Sequence, residues 1–109
     1  LVLRGGGGKT NYHADEVAAA AEKLRAAGLP DIMMVDCSHA NSGKVPARQA
    51  DVWNDLLKQR KQPNCPVIGA MLESFIEEGS QPISDNLKYG LSITDPCIDW
   101  ETTERLLKS

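Results

Sequence analysis

Several broad protein classes are excluded by what this sequence lacks. No run approaches the roughly 18 consecutive apolar residues that a membrane-spanning helix needs. Positive charge is not in excess: 12 Lys and Arg stand against 15 Asp and Glu, a net charge of -3. That argues against non-specific nucleic-acid binding, which wants a basic face. Cysteine is sparse. Cys37, Cys65 and Cys97 are odd in number, widely spaced and form no C-x-x-C pair. A disulfide framework is therefore excluded, and free thiols point to a reducing compartment, the cytoplasm. Each thiol reads as a small buried or half-buried residue. The opening Leu1-Val2-Leu3-Arg4 is neither a signal peptide nor an initiator methionine. It reads as the inside of a strand, so the expectation is a chain cut from something longer.

What remains is ordinary for a globular protein: 41% apolar and 25% charged residues over 109 positions. One domain, residues 1–109, with a modest core is expected. The pattern predicts a strand at Leu1–Leu3, then a glycine run and a polar loop. A helix follows over Ala14–Ala27, with Val17, Ala20, Ala21, Leu24 and Ala27 on one face. His13 and Glu16 form a weak capping pattern, and Gly28 then Pro30 stop the helix. Ile32–Cys37 is apolar nearly throughout, as expected of a parallel strand covered on both faces. A loop is expected over His39–Lys44. The next helix enters at Pro46 and runs to Arg60, with Val52, Trp53, Leu56 and Leu57 inward and Trp53 in the core. Val67–Leu72 is the third strand. The connection Glu73–Asp99 is long enough to suggest a functional loop. A final helix starts at Trp100, capped by Asp99, with Trp100 packing it. The order β-α-β-α-β-loop-α implies an α/β fold with right-handed crossovers and a parallel sheet.

The stretch Asp36-Cys37-Ser38-His39-Ala40-Asn41 ends a buried strand and opens into small polar residues. Arg4, Glu73 and Asp95 occupy comparable places after apolar runs. A carboxylate closing an apolar strand is costly unless solvated, paired or bound to a metal. His39, Glu73 and Asp95 at one end of a parallel sheet would make a divalent-metal site of N and O donors. The plainer alternatives are a structural histidine and a turn aspartate before Pro96. Asp36 would orient His39 or make a strand-end hydrogen bond. The run Gly5-Gly6-Gly7-Gly8-Lys9-Thr10 resembles a phosphate-binding P-loop, but Leu3 stands where the motif needs its first glycine. A βα turn, or a backbone anion site helped by Arg4, remains. Lys9 and Lys44 read as solvated.

Four ordered motifs carry a resemblance to a family. They are Leu3-Arg4-Gly5-Gly6, Asp36-Cys37-Ser38-His39-Ala40-Asn41-Ser42, Gly69-Ala70-Met71-Leu72-Glu73-Ser74 and Tyr89-Gly90-Leu91-Ser92-Ile93-Thr94-Asp95-Pro96-Cys97-Ile98. Together the sequence resembles the last third of a type I 3-deoxy-D-arabino-heptulosonate 7-phosphate (DAHP) synthase. The resemblance implies the last three βα units, strands six to eight, of a (β/α)8 barrel. It implies condensation of phosphoenolpyruvate with erythrose 4-phosphate, the first step of the shikimate route to aromatic amino acids. It implies a divalent metal (Mn, Fe, Co or Zn) on His39, Glu73 and Asp95, three of four ligands. His39 and Asp95 would also serve catalysis, and Arg4 would bind the phosphate of phosphoenolpyruvate. The fourth ligand, an early cysteine, has no counterpart here, and Cys37 cannot take its role. The implied partners are these two small substrates, with no nucleic acid and no membrane, in a cytoplasmic homo-oligomer. The chain by itself is expected to be inactive. A related phosphoenolpyruvate-condensing barrel synthase, or a non-catalytic fragment that binds an anion or metal, is the alternative.

Overall fold

The computed structural model describes residues 1–109 and shows three parallel strands joined by helices. In chain order these are β1 (Val2–Leu3), α1 (Ala14–Ala26), β2 (Met33–Asp36), α2 (His39–Ser42), α3 (Arg48–Arg60), β3 (Val67–Met71) and α4 (Trp100–Leu107). The sheet order is β1-β2-β3. Leu3 pairs with Val35, and Val35 with Ala70. The register slips once, between Met33 and Met34, which face Val67 and Gly69.

Strand order explains where the core lies. A right-handed crossover that always advances in one direction returns each helix to the same side of the sheet. Leu3, Met33, Val35, Cys37 and Val67 therefore bury against Val17 and Ala21 of α1 and Val52 and Leu56 of α3. Val2, Met34 and Met71, on the other face, stay exposed. The expected cover on both faces of Ile32–Cys37 is thus corrected: helices cover one face only. The radius of gyration, 15.4 Å, exceeds the about 13 Å of a compact domain this long. Only 19 of 109 residues are buried, consistent with a single sheet under one helical layer.

Local signals mostly form as expected. Glu16 Oε2 accepts the His13 N–H at 3.1 Å, closing the start of α1. Gly28, at φ 71°, lets the Leu29 N–H reach Leu24 O at 2.9 Å and end the helix. Asp99 caps α4 by accepting the Thr102 N–H at 2.8 Å. Three expectations are corrected. The loop expected over His39–Lys44 contains the one-turn helix α2, closed by Gly43 at φ 60°. Trp53 is half-buried rather than core, its Nε1 donating to Ser109 Oγ at 3.3 Å. Trp100 is 60% exposed, because Thr103 and Leu106 take the inward side of α4. No helix is long and apolar enough to cross a membrane.

Candidate functional site at the carboxyl ends of the strands

Parallel strands bring their carboxyl ends to one edge, so Arg4, His39 and Glu73 emerge together after β1, β2 and β3. Asp95 comes from the long connection, which folds back on the third strand end. Its anchors are backbone bonds: Ile98 N to Glu73 O at 3.0 Å, Phe75 N to Ile98 O at 2.9 Å, and Gly79 with Cys97 in both directions. Gln81 closes the excursion, donating to Lys88 O and Leu91 O and accepting from Lys88 N. The connection is therefore ordered by bonds across its base.

His39 sits at the centre. Its backbone takes φ 51°, a left-handed conformation uncommon for a residue with a Cβ. Nδ1 lies 2.6 Å from Asp36 Oδ2, and Asp36 is buried. Asp36 Oδ1 accepts the Ser38 N–H at 2.8 Å. A carboxylate only accepts, so Nδ1 carries the proton in this pair. Nε2, on the other edge of the ring, faces Glu73 Oε1 at 3.5 Å and Asp95 Oδ2 at 3.4 Å. Ligand atoms of all three residues lie within 4.8 Å of one another. Metal bonds of about 2.0–2.2 Å at tetrahedral angles would set neighbouring donors about 3.3–3.6 Å apart. Both separations from Nε2 fall in that range, and one imidazole with two carboxylates is a donor set that fits a divalent cation.

Side-chain amides lock the strand ends in place. Asn41 donates to Leu3 O at 3.2 Å and Asp36 O at 2.9 Å, and accepts the Asn11 N–H at 2.8 Å. Asn11 Oδ1 in turn accepts the Gly5 N–H at 2.8 Å. Ser38 Oγ donates to Glu73 Oε2 at 2.7 Å. Gln49 binds the Glu73 backbone twice. Every buried side-chain N and O has a partner. Ser38 and Gln49 escaped the sequence reading. Gln49 did leave a signal: it is a polar residue on the stripe Gln49, Val52, Trp53, Leu56, at helical spacing.

Arg4 is exposed and bonds to none of the three central residues. It lines, with Gly5, Gly6, Gly8, His39, Ala40, Gly43 and Lys44, a polar cleft of about 530 Å³. Lys44 is not simply solvated: its Nζ lies 3.7 Å from Asp95 Oδ1. The glycine run is a tight hairpin rather than a phosphate cradle. Gly6 and Lys9 exchange two backbone bonds at 3.0 Å, with Gly7 and Gly8 in left-handed conformations between them. The Gly5 and Gly6 N–H groups are thereby spent inside the loop. Cys37 lies on the helix-covered face, where burial, with help from the Asp36 charge, pushes its thiol up to about 12. It is no donor to this cluster. Burial also raises Cys97, whose Sγ lies 3.6 Å from Asp95 O.

Fold and site together define a parallel α/β protein of the kind that gathers polar chemistry at strand carboxyl ends. The family is set by sequence: a profile of the DAHP synthetase I family matches residues 1–108, and the chain belongs to that family. It is 46% identical over 110 residues to the Trp-sensitive phospho-2-dehydro-3-deoxyheptonate aldolase of Escherichia coli (strain K12), covering 99% of this chain and 31% of that protein. It is 42% identical to the tyrosine-inhibited enzyme of Schizosaccharomyces pombe, over 98% of this chain and 30% of the relative. The solved phospho-2-dehydro-3-deoxyheptonate aldolase of Francisella tularensis SCHU S4 superposes with a TM-score of 0.93 at 36% identity, over 98% of this chain and 31% of that one. The chain thus spans about a third of the length of the relatives it matches.

Proposed function

We propose that residues 1–109 are one structural unit, the sixth to eighth βα units of a (β/α)8 DAHP synthase. The reaction is condensation of phosphoenolpyruvate with erythrose 4-phosphate and one water to DAHP and phosphate, the water adding at C2 of phosphoenolpyruvate as phosphate leaves. The observation that carries this reading is the meeting of His39, Glu73 and Asp95 at 3.4–3.5 Å from the histidine nitrogen, beside Arg4, in a member of this family.

The residues divide the work. His39, Glu73 and Asp95 would hold a divalent cation such as Mn, Fe, Co or Zn, whose Lewis acidity polarises the aldehyde that the enol carbon attacks. Asp36 keeps His39 turned so that Nε2 faces that position. Arg4, across the same cleft, holds the phosphate of phosphoenolpyruvate by charge and paired N–H groups. Two substrates held at fixed distance and orientation account for much of what a condensation asks of a protein.

Because relatives are about three times longer, activity is tested in a full-length frame. Residues 1–109 replace the matching segment of the Escherichia coli relative, and phosphoenolpyruvate consumption is followed with erythrose 4-phosphate and manganese. The chimera turns over, and His39→Ala, Glu73→Ala and Asp95→Ala each lower kcat at least a hundredfold. An active chimera indifferent to all three substitutions would falsify the assignment. The 109-residue chain alone shows no turnover, having three strands where a closed barrel has eight.

A further inference from the structure

Glu73 is held at both ends by residues that are not candidate ligands. On the backbone side, Gln49 Oε1 accepts the Glu73 N–H at 2.8 Å and Gln49 Nε2 donates to Glu73 O at 3.1 Å. The amide thus copies the two-bond pattern of a neighbouring strand at the place where β3 has ended at Met71. Gln49 is 0% exposed, although the helical pattern around it would place an apolar residue there. Burying a carboxamide costs free energy unless both its donor and acceptor are satisfied, and here the backbone of one residue satisfies both. On the side-chain side, Ser38 Oγ donates to Glu73 Oε2 at 2.7 Å. That leaves Oε1 as the oxygen facing His39 Nε2 at 3.5 Å.

Each hold comes from a different element. Gln49 lies in the first turn of α3, and Ser38 immediately precedes α2, its hydroxyl making no bond to that helix. Glu73 itself sits at the start of the long connection, outside the strand ladder. Without these bonds its position would depend on the backbone bond from Ile98 alone. We propose that Gln49 and Ser38 are positioning residues for Glu73: Gln49 fixes its backbone and Ser38 selects which carboxylate oxygen faces the cation position. This rests on the metal reading above. It adds a specific claim, that the two act on the cation only through Glu73.

The test is Mn²⁺ affinity of the 109-residue chain, measured by electron paramagnetic resonance, with the fold followed by circular dichroism. Gln49→Met keeps the length of the side chain and removes both bonds; Ser38→Ala removes the hydroxyl. Each lowers affinity at least fivefold, and Glu73→Ala lowers it further. In the Glu73→Ala background neither has any additional effect, which a merely structural role would not produce. Wild-type affinity in a folded Gln49→Met or Ser38→Ala chain overturns the proposal. So does an undiminished effect in the Glu73→Ala background. Should Gln49→Met not fold, Ser38→Ala and its double variant decide by the same criteria. Equal Mn²⁺ binding by wild type, His39→Ala and Glu73→Ala overturns the metal reading alone. The hold is then read by amide exchange, where Gln49→Met must speed exchange at Glu73 at least tenfold and leave Val35 unchanged. Unchanged protection at Glu73 overturns it.

Discussion

Asp36 Oδ2 and His39 Nδ1 lie 2.6 Å apart, and the aspartate is buried while the imidazole keeps one edge open to the cleft. The bond fixes a tautomer. Asp36→Ala leaves Nδ1 without its acceptor, and His39 then divides between its two neutral tautomers. ¹⁵N spectroscopy of the imidazole at a pH where it is neutral reads this directly. Mn²⁺ affinity falls in the same variant by roughly 10–100-fold, the usual effect of losing such a partner. A single unchanged Nδ1–H tautomer would show that Asp36 does not orient the ring.

The three thiols differ in reactivity. Cys37 is buried, with its thiol pushed up to about 12, whereas Cys65 and Cys97 are partly exposed. The thiolate is the reactive form. A disulfide reagent at mildly alkaline pH therefore modifies Cys65 first, Cys97, whose thiol burial also raises, more slowly, and Cys37 only as the protein opens. Denaturant releases all three. Because folding raises the Cys37 value from 9.0, its contribution to stability is complete below pH 9.0 and is lost as pH rises toward about 12. Three thiols reacting at one fast rate would contradict the packing.

Gly5 and Gly7 share a left-handed backbone but not their surroundings. A Cβ on Gly5 would meet Lys9 O at 2.7 Å and the Ala40 Cβ at 2.8 Å, while one on Gly7 meets nothing within 4 Å. Gly7→Ala costs only the conformational penalty, about 1–2 kcal/mol. Gly5→Ala costs more, because the backbone next to Arg4 must move. Urea denaturation of both variants checks the order, and equal midpoints would refute it.

Asp99 gives a small acid-side effect. Hydrogen bonds from the Thr102 side chain, then from its backbone, hold the Asp99 carboxyl below the ordinary 3.8. Its contribution is therefore present above pH 3.8 and lost as pH falls below it. The protection factor of the Thr102 amide, the exchange rate of an unprotected amide at the same pH divided by its own, falls on acidification in the wild type and is already low, and flat in this range, in Asp99→Ala.

Much of this was legible in the residues. Periodicity marked α1 and α3, and apolar runs marked β2 and β3, because both signals repeat over enough positions to be read. His39, Glu73 and Asp95 stood out as polar groups at the ends of apolar segments, and the structure brings them together. Short or non-repeating features were illegible. Four residues make α2, too few for a period. Trp100 faces outward because Thr103 and Leu106 set the phase of α4, which a two-turn helix shows poorly. The bare face of the sheet follows from strand order, and no local pattern encodes the order in which strands pair. Gln49 has nothing near it in sequence to pair with, since its partner lies 24 positions away.

The cluster draws on three separate pieces of chain: the end of β2, the end of β3, and the far side of a 27-residue excursion running from 73 to 99. An ion held there would act as a clasp on that excursion, closing a loop as a crosslink does, but reversibly. Its grip would follow mass action, about 2.7 kcal/mol at a hundred times the dissociation constant. Metal supply would then shift the fraction of molecules in which the region around Asp95 is closed.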